Sequence, residues 1–322
     1  MIYFVAEDEK TLGSGLYLIR RHNGGRKMGK RDEYTFVKVS WGVEMSKKKA
    51  ILQPFLKWAG GKRQLLPIIR EYVPKEYKTY YEPFLGAGAV LFALRPAKAV
   101  INDLNWELIN CYRVIKDSLA ELLTDLAKHK NDEDYYYQIR DLDRTGEFQN
   151  LSAVTRASRI IFLNKTCYNG LFRVNSDGQF NVPFGRYKKP KIVDEAVLRA
   201  VSSYLNKNDI QIMNKDFAAA VERAEKGDFV YFDPPYDPVS NTSSFTGYNL
   251  HGFSRDEQKR LRDVFRILDK KGCFVLLSNS ATDFILDLYK DYKVVTVEAN
   301  RAINSVPTGR GKVNEVLVMN YG

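Results

Sequence analysis

The chain has 322 residues, 44% of them hydrophobic, and a formal net charge of +11. This length is sufficient for one large domain or two of ordinary size. No apolar run approaches the roughly 20 residues that a membrane-spanning helix needs. The three cysteines and three histidines are too scattered for a disulfide framework or a metal site. We therefore expect a cytoplasmic, reduced protein without a metal ion, and the positive charge favours a polyanionic partner.

Residues 1–49 differ in character from the rest of the chain. Two apolar fragments, Met1–Val5 and Thr35–Val39, flank a segment rich in glycine and arginine, Arg20–Lys27, that is typical of a loop. A small appended hairpin and a poorly ordered arm both agree with this pattern. The sequence that begins at Met45 resembles a natural start of translation, so we expect the functional domain to begin there.

A pair of glycines lies beside a cation and an aromatic ring early in the chain. Gly60 and Gly61 follow Trp58 and precede Lys62. Glycines let the backbone approach a ligand closely, and the neighbouring cation and ring can contact that ligand. The alternative is an ordinary turn with solvated lysines, followed by a helix from Gln64 to about Tyr72.

The next segment has the order of a nucleoside-binding βαβ unit. A predicted strand, Tyr80–Phe84, leads into a loop with Gly86 and Gly88 and then a helix, and a second strand, Ala99–Ile101, ends at Asp103. Small residues in such a loop permit close approach, and an acid at the end of the second strand can bind ribose hydroxyls. The third glycine of a dinucleotide fingerprint is absent, so a nucleoside is the expected ligand.

Helices and a hairpin are predicted in the middle of the chain. Apolar residues recur at helical spacing from Glu107 to Lys130, and a further helix is predicted from Ser152 to Asn164. The turn Asp177-Gly178 then separates two runs, 167–175 and 179–190, that are rich in Arg, Asn, Tyr and Lys and predict a hairpin. A polar β-ribbon of this kind suits reading of the major groove. The alternative is a solvent-exposed hairpin with a charged face.

The strongest local signal is the tetrapeptide Asp-Pro-Pro-Tyr at 233–236, directly after the apolar run 228–232. That run predicts a strand in which Val230 and Phe232 alternate with more polar neighbours, and the prolines end its ladder because they lack an N–H. At a strand's carboxyl end, the aspartate and the first proline's carbonyl can accept both hydrogens of a planar amine, while the tyrosine stacks on the ring that bears it. The alternative is a strand stopped by prolines and followed by a turn.

The remaining elements continue an α/β pattern. A strand at 211–213 is followed by a carboxylate and an aromatic ring, Asp216 and Phe217. Residues 238–252 predict a mobile loop that could close over a substrate, and Asn300–Lys312 is a basic loop. The other predicted helices are Ala218–Glu225, Arg255–Asp269 and Phe284–Asp291, and the other predicted strands are Cys273–Leu277, Lys293–Val297 and Glu315–Met319.

Together these stretches resemble the Dam-type DNA adenine methyltransferases, the alpha class of amino-methyltransferases, from about Gln53 to the C-terminus. The motifs that carry the resemblance are Phe-Leu-Lys-Trp-Ala-Gly-Gly-Lys at 55–62, Glu-Pro-Phe-Leu-Gly-Ala-Gly-Ala at 82–89, Asn-Asp at 102–103 and Asp-Pro-Pro-Tyr at 233–236. The sequence Phe-Asn-Val-Pro-Phe-Gly-Arg-Tyr-Lys-Lys-Pro at 180–190 looks like the segment of this family that recognises GATC. The order of the motifs is also that of the alpha class.

The resemblance implies an α/β fold: a Rossmann-like S-adenosylmethionine-dependent methyltransferase sheet with an inserted helical and β-hairpin DNA-recognition domain. We expect a catalytic domain at 50–106 and 209–322, a target-recognition domain at 107–208, and an extension of unknown role at 1–49, outside the resemblance. The implied partner is double-stranded DNA, and we expect a monomer that does not bind membranes.

The resemblance also implies a role for individual residues. The catalytic residues would be Asp233, Pro234 and Tyr236. S-adenosylmethionine, the methyl donor, would be contacted by Trp58, Lys62, Phe84, Gly86, Gly88, Asp103, Asp216, Phe217 and Asp233. DNA would be contacted by Lys57, Tyr168, Asn169, Leu171, Arg173, Pro183 and Arg186.

Some of these roles are more specific. Asp103 would hold the ribose hydroxyls, Asp216 would accept a hydrogen bond from the cofactor's adenine amine, and Phe217 would stack on that adenine. Lys57 would contact the first guanine of the site. Arg173 is the best candidate for bidentate reading of a guanine.

The implied reaction is direct methyl transfer to the amine of an adenine flipped out of the duplex. Methylation of the cytosine amine uses similar geometry, whereas methylation of glutamine or RNA usually goes with Asn at position 233. Methylation of cytosine C5 needs a cysteine after a proline, and none of the three cysteines follows one. A catalytically inactive DNA-binding module is a further alternative, and the intact Asp233, Asp103 and glycine loop count against it. The sequence leaves open whether the enzyme belongs to a restriction system or a phage, or works alone.

Overall fold

The computed structural model describes residues 14–20, 34–40, 52–239, 253–300 and 312–322. Strands β1 (Ser14–Arg20) and β2 (Tyr34–Ser40) pair antiparallel, so the hairpin alternative for the N-terminal region is confirmed in its backbone. The predicted fragment Met1–Val5 and the start at Met45 lie outside the described residues.

A seven-stranded sheet forms the centre of the fold, in the order β5-β4-β3-β6-β7-β9-β8. Strands β3 to β7 are parallel where they pair, and β9 runs antiparallel to both β7 and β8. The strands are β3 (Tyr80–Glu82), β4 (Lys98–Asn102), β5 (Asp209–Met213), β6 (Phe229–Phe232), β7 (Phe274–Ser280), β8 (Lys293–Asn300) and β9 (Lys312–Met319). The predicted α/β fold is therefore confirmed.

Helices connect the strands, and several begin at a side chain that caps the first turn. Asn105, Ser152 and Ser254 each accept a hydrogen bond from a backbone N–H three residues later, which satisfies a donor that the helix leaves unpaired. The helices are α1 (Leu66–Tyr72), α2 (Ala89–Leu94), α3 (Trp106–Asp117), α4 (Leu119–Leu126), α5 (Glu133–Asp141), α6 (Ala153–Thr166), α7 (Glu195–Lys207), α8 (Phe217–Ala220), α9 (Arg255–Lys271) and α10 (Asp283–Leu288). None of the helices in the described ranges is long and apolar enough to cross a membrane.

Strand β6 lies at the centre of the sheet, between β3 and β7. All four of its residues are buried, including Val230, Tyr231 and Phe232. The predicted strand is therefore confirmed, and the more polar neighbours of Val230 and Phe232 are buried with them. A parallel strand covered on both faces is buried along its whole length, and the Tyr231 hydroxyl is satisfied by Ser278 at 3.0 Å.

The middle of the chain is helical as predicted, but it is divided differently. The single helical region predicted from Glu107 to Lys130 consists of α3 and α4, which Ser118 separates. Helix α5 and short 3-10 helices at 142–144 and 146–150 were not predicted.

The predicted hairpin around Asp177-Gly178 forms only in part. The turn is present, and Val174 pairs with Phe180 in an isolated bridge. No regular strand develops in this described segment, although the N–H of Asn175 donates to Gln179 and the N–H of Asn181 donates to Arg173 on either side of the bridge. The backbone groups of Phe180 point away from Val174 and bind side chains instead. The N–H of Phe180 donates to Asp143 Oδ2 at 2.7 Å, and its carbonyl accepts from Arg144 at 3.0 Å.

The helix predicted from Ala218 to Glu225 is also shorter than expected. Helix α8 covers only Phe217–Ala220. The backbone then turns with Val221 and Ala224 buried against the sheet and Asp228 accepting from the N–H of Glu225. The loops predicted at 238–252 and 300–312 lie largely outside the described residues.

The topology places a crevice at one edge of the sheet. The chain moves outward from β3 through β4 and β5 on one side, and through β6 and β7 on the other. The point between β3 and β6 is therefore a topological switch point, and in open α/β sheets ligands bind outside the carboxyl ends of strands at such a point.

Candidate active site

The segments that follow β3, β4, β5 and β6 all reach the carboxyl edge of the sheet, because parallel strands end at the same edge. They bring together the glycine loop at 84–88, Asp103, Asp216 and the tetrapeptide at 233–236. The sheet thus places at one edge the residues that the sequence distributes over about half of the chain.

Asp233 lies directly beyond β6, and two side chains donate to one of its oxygens. Lys62 Nζ is 2.8 Å and Ser278 Oγ is 2.9 Å from Asp233 Oδ1. Burial raises the pKa of the Asp233 carboxyl, and the charge and hydrogen bond of Lys62 oppose that rise. Lys62 itself is buried, so this is a water-shielded ion pair rather than a solvated one.

Lys62 approaches the tetrapeptide from the glycine pair. Its ammonium also donates to the carbonyl of Gly60 at 2.8 Å and lies 4.6 Å from the centroid of the Tyr236 ring. Gly60 has φ +74°, a left-handed conformation that glycine adopts without strain. The glycine pair therefore forms a turn that places the Lys62 ammonium between the Asp233 carboxylate and the face of the Tyr236 ring.

The tetrapeptide is fixed by residues far away in sequence. The Tyr236 hydroxyl donates to Glu315 Oε2 at 2.7 Å, and the carbonyl of Pro235 accepts from Gln258 at 2.9 Å. Gln258 in turn accepts from Asn279. These bonds hold the segment after β6 against α9, β7 and β9.

The glycine loop after β3 closes onto the end of β4. The N–H of Gly86 donates to Asp103 Oδ2 at 2.9 Å, and the N–H of Asn105 donates to Oδ1 at 2.9 Å. Burial raises the pKa of the Asp103 carboxyl, and these backbone donors oppose the rise. Asp103 therefore holds the loop in shape.

Glycine is required at two positions of this loop. Gly86 and Gly88 have φ of +51° and +72°. A Cβ on Gly88 would lie 2.7 Å from the Tyr112 hydroxyl, and one on Gly86 would lie 3.1 Å from the Trp58 ring. The loop, which we call the cradle, therefore packs so closely on Trp58 and Tyr112 that only glycine fits at these two positions.

Asp216 and Phe217 begin α8 beside the same crevice. Asp216 caps the helix through the N–H of Ala218 and forms two bonds to Arg260, of 2.9 and 2.6 Å. The hydrogen bonds from Arg260 hold the pKa of Asp216 below its usual range. The Arg260 guanidinium lies 4.1 Å from the centroid of the Phe217 ring, which also stacks on Phe84 at 5.4 Å. Asp216 Oδ1 accepts from both Ala218 and Arg260, whereas Oδ2 accepts from Arg260, so Oδ2 has a second lone pair that can accept a hydrogen bond from an adenine amine.

The segment 167–187, which we call the recognition segment, joins the crevice through Trp58. The Trp58 ring stacks on Phe172 at 4.8 Å. Lys57 is held by its backbone, since Asn164 accepts from its N–H and donates to its carbonyl. Its ammonium lies 5.6 Å from the Tyr187 ring. The predicted cofactor contact Trp58 and the predicted DNA contact Lys57 therefore lie beside each other, and both touch the recognition segment.

The side chains predicted to contact DNA lie mostly at the surface. Tyr168, Asn169, Arg173, Pro183 and Arg186 are exposed, and Leu171 is half-buried. Asn169 and Arg186 have φ of +57° and +52°, which is uncommon for residues with a side chain. Arg173 donates to the side chain and to the carbonyl of Asn181, at 2.7 and 3.2 Å. Asn181 thus orients the guanidinium that we expect to read a guanine.

Residues 58–303 match the family described as D12 class N6 adenine-specific DNA methyltransferase. The chain belongs to this family. It is therefore an adenine-specific DNA methyltransferase, and the resemblance inferred from the motifs is confirmed. Membership implies S-adenosylmethionine as the methyl donor and DNA as the substrate.

Similar proteins of known name agree with this assignment. The chain is 51% identical over 280 residues to the type II methyltransferase M1.LlaDCHI of Lactococcus lactis subsp. cremoris, covering 86% of this chain and 99% of that one. It is 43% identical to the type II methyltransferase M.MjaIII of Methanocaldococcus jannaschii, covering 84% and 99%. It is 34% identical to the DNA adenine methylase of Escherichia coli K12, covering 82% and 94%.

The residues around the crevice fit the methyl donor. The backbone of the loop at Gly86 and Gly88 carries no Cβ that could keep a ligand away, and a half-buried carboxylate, Asp103, lies beside it. Such a set suits a nucleoside whose hydroxyls need acceptors. Within the described ranges, no cluster of His, Cys, Asp or Glu could hold a metal ion.

Sequence reasoning missed several residues that shape the site. Ser278 and Glu315 hold Asp233 and Tyr236, Arg260 holds Asp216, and Asn164 holds the backbone of Lys57. The Ser278-Asn279-Ser280 sequence at the end of a buried strand was a usable signal, because polar residues there need partners. Nothing local distinguishes Glu315 or Arg260 from other charged residues.

Proposed function

We propose that this methyltransferase transfers a methyl group to the exocyclic amine of adenine within GATC in double-stranded DNA, after the base is flipped out of the duplex. The observation that carries the proposal is the half-buried Asp233 carboxylate beside the Tyr236 ring, at the switch point of the sheet. S-adenosylmethionine supplies an electrophilic methyl group bound to sulfur.

Asp233 and Pro234 would bind the adenine amine. The carboxylate and the proline carbonyl accept its two hydrogens, which directs the nitrogen lone pair away from the protein and toward the methyl group. Transfer would form the nitrogen–carbon bond as the carbon–sulfur bond breaks, with its electron pair left on sulfur. The nitrogen would then give up one proton, which the Asp233 carboxylate is placed to accept. Burial raises its pKa, which makes it a better base.

Lys62 would change partners when the base enters. In the free protein its ammonium donates to Asp233 Oδ1 and lies over the Tyr236 ring. In our proposal, Asp233 binds the amine of the target adenine and the Tyr236 ring stacks on the adenine ring. Entry of adenine therefore requires Lys62 to withdraw, and its second bond, to the carbonyl of Gly60, can keep it nearby. Its predicted contact with the cofactor is compatible with such a withdrawn position.

The cofactor site would use the cradle after β3. Trp58, Phe84, Gly86, Gly88 and Asp103 border it. We assign the ribose hydroxyls to Asp103. Asp216 and Phe217 would contact the adenine end, with Asp216 Oδ2 accepting from the amine beside its bond to Arg260.

Sequence recognition would come from the recognition segment together with Lys57. The segment carries exposed arginine, asparagine and tyrosine side chains, which suit hydrogen bonds to base edges and wedging between bases. Pro183 is part of this surface, since its carbonyl accepts from the N–H of Tyr168. We assign residues 107–208 to target recognition and residues 50–106 and 209–322 to catalysis. Residues 1–49 are an extension of unknown role outside this assignment.

The relatives' names bear on the biological setting. Two of them are named type II methyltransferases and one is named DNA adenine methylase. The two type II names have the higher identities, which supports the modification half of a restriction–modification system. We expect the enzyme to act as a monomer in the cytoplasm.

Transfer of labelled methyl from S-adenosylmethionine to two duplexes tests the proposal. One duplex contains GATC and the other has that site scrambled. We expect label only in the GATC duplex, recovered as N6-methyladenine. Label in both would contradict the specificity, and label recovered as methylated cytosine would favour the cytosine alternative.

A second readout tests base flipping. A duplex with 2-aminopurine at the target position fluoresces when that base leaves the stack. We expect a fluorescence increase on adding the enzyme to the GATC duplex and none with the scrambled duplex. Transfer without any increase would contradict the flipping step.

A further inference from the structure

The Tyr236 hydroxyl is held by a carboxylate from the opposite part of the chain. Glu315 lies on β9, where it pairs with Ser280 of β7 and with Val297 of β8. Its Oε2 is 2.7 Å from the Tyr236 hydroxyl, and the two residues are 79 positions apart in sequence. No motif in the sequence links them.

The direction of this hydrogen bond is fixed by the protonation of the phenol. Burial raises the pKa of Tyr236 well above its usual value, and the negative charges of Asp233 and Glu315 add to the rise. The hydroxyl therefore stays protonated and donates to the carboxylate. A hydrogen bond to an ionised acceptor is shorter and stronger than one between neutral groups.

Two neighbouring strands of the sheet, β7 and β9, hold Asp233 and Tyr236. Strand β7 brings Ser278 to Asp233, and its antiparallel neighbour β9 brings Glu315 to Tyr236. The Lys62 ammonium touches both, at 2.8 Å from the Asp233 carboxylate and 4.6 Å from the Tyr236 ring centroid. The carboxylate and the ring face therefore border the same space.

We propose that Glu315 is a positioning residue for methyl transfer, which fixes the Tyr236 ring so that its face lies beside Asp233 where the target base enters. This inference rests on the proposed function, because it gives the ring the task of stacking on the flipped base. Without Glu315 the ring could rotate away from the carboxylate, since its hydroxyl would seek another partner.

A carboxylate suits this position better than a neutral acceptor. A phenol that donates to an anion carries more electron density on its ring. An electron-rich ring face attracts cations more strongly, and Lys62 is the cation that lies over this ring. In the free protein Glu315 therefore also strengthens the contact with Lys62, which the target base must displace, so its benefit to transfer comes from orienting the ring.

A double-mutant cycle between Glu315 and Tyr236 tests the inference. The variants are Glu315→Ala, Tyr236→Phe and the double variant, with single-turnover methyl transfer measured at saturating S-adenosylmethionine and GATC duplex. We expect Glu315→Ala to lower the rate about tenfold to a hundredfold, the range of a hydrogen bond to a charged group. In the Tyr236→Phe background the same change should cost less than about twofold, because the bond is already absent.

Two controls separate positioning from loss of structure. Asn314→Ala changes the neighbouring exposed residue, on the opposite face of β9, and should leave the rate unchanged. Glu315→Gln keeps an acceptor oxygen and should cost only about twofold to fivefold. The affinity of Glu315→Ala for S-adenosylmethionine should equal that of the unaltered chain.

Two results would overturn the inference. One is that Glu315→Ala lowers the rate of methyl transfer equally in the unaltered chain and in the Tyr236→Phe variant. The other is that Glu315→Ala leaves the rate of the unaltered chain unchanged. If Glu315→Ala does not fold, the cycle is run with Glu315→Gln, and the same comparison decides. Failure of the proposed function is recognised separately, because the unaltered chain would then transfer no methyl to GATC duplex.

Discussion

The crevice at the carboxyl edge of the sheet and the recognition segment are built in different ways. In the crevice, Asp233 and Asp103 are each held by two donors, and both lie one residue beyond a buried strand. In the recognition segment the strands are reduced to isolated bridges, and side chains such as Asp143, Arg144 and Asn181 fix the backbone and Arg173.

This difference separates chemistry from recognition. Methyl transfer needs reacting groups placed to within a fraction of an ångström, which a packed sheet provides. Reading of DNA needs side chains that are exposed and replaceable, which an irregular surface segment provides. Trp58, stacked on Phe172, joins the two regions. The account therefore predicts that changes in one region leave the other region's task largely intact.

Replacement of Asp233 by Ala should have the largest effect. Without its carboxylate the amine loses its principal acceptor, so we expect methyl transfer to fall by about a thousandfold, while binding of GATC duplex persists. Transfer of labelled methyl and fluorescence anisotropy of labelled duplex measure the two quantities. Asp256→Ala removes an exposed acid on α9 and should change neither. Residual transfer within tenfold of the unaltered chain would contradict the role of Asp233.

Replacement of Asp103 by Ala should weaken cofactor binding. It removes the acceptor for the N–H groups of Gly86 and Asn105 and so loosens the cradle. We expect the dissociation constant for S-adenosylmethionine to rise about tenfold to a hundredfold, as for loss of hydrogen bonds to a charged group. Calorimetric titration measures it, with Asp291→Ala as the exposed control. A larger loss of DNA affinity than of cofactor affinity would break the proposed separation.

Replacement of Asn181 by Ala should have a smaller effect, confined to recognition. The Arg173 guanidinium would lose its bond to the Asn181 side chain and become less well oriented. We expect the preference for GATC over scrambled duplex to fall about fivefold, the value of one ordinary hydrogen bond, with cofactor affinity unchanged. Competition binding measures the preference, and Asn150→Ala, an exposed residue, is the control. An unchanged preference would show that Arg173 does not need this support.

The remaining expected effects concern stability rather than activity, and the two parts of the chain should respond to pH in opposite directions. Burial raises the pKa of Glu82, on β3, from 4.5 to about 8. Between these values the unfolded chain releases a proton that the folded chain keeps, so the free energy of unfolding falls as the pH rises. Burial lowers the pKa of His129, in the helical region, from 6.5 to about 4. The contribution of His129 to the free energy of unfolding therefore falls as the pH drops from 6.5 to 4.

Urea unfolding at pH 5, 6.5 and 8 separates these contributions. Glu82→Gln keeps a partner for the Tyr80 hydroxyl and should remove the decline toward pH 8. His129→Gln should flatten the decline toward pH 5. Identical pH profiles for Glu82→Gln and the unaltered chain would show that Glu82 is not buried as a neutral acid.

Much of the crevice could be predicted from sequence because parallel strands share an edge. Once the strands before Asp103, Asp216 and Asp233 are recognised, their carboxylates must lie at the same end of the sheet. The glycine loop was predictable for a similar reason, since Gly86 and Gly88 take up backbone conformations that other residues avoid.

The remainder depends on contacts between distant residues. The pairing of Lys62 with Asp233 and of Arg260 with Asp216 follows only from the packing of segments around the sheet. The turn at Asp177-Gly178 was predictable from its dipeptide. The contacts of Asp143 and Arg144 with the backbone of Phe180 were not, because these two residues come from a 3-10 helix that has no clear periodic signal.

The separation of chemistry from recognition is tested most directly by comparing Asp233→Ala with Arg173→Ala in one pair of assays. Each variant is measured for methyl transfer and for its binding preference between GATC and scrambled duplex. The account predicts that Asp233→Ala keeps the preference and loses transfer. Arg173→Ala should keep transfer and lose about 1–3 kcal/mol of preference. Equal loss of both properties in both variants would contradict the account.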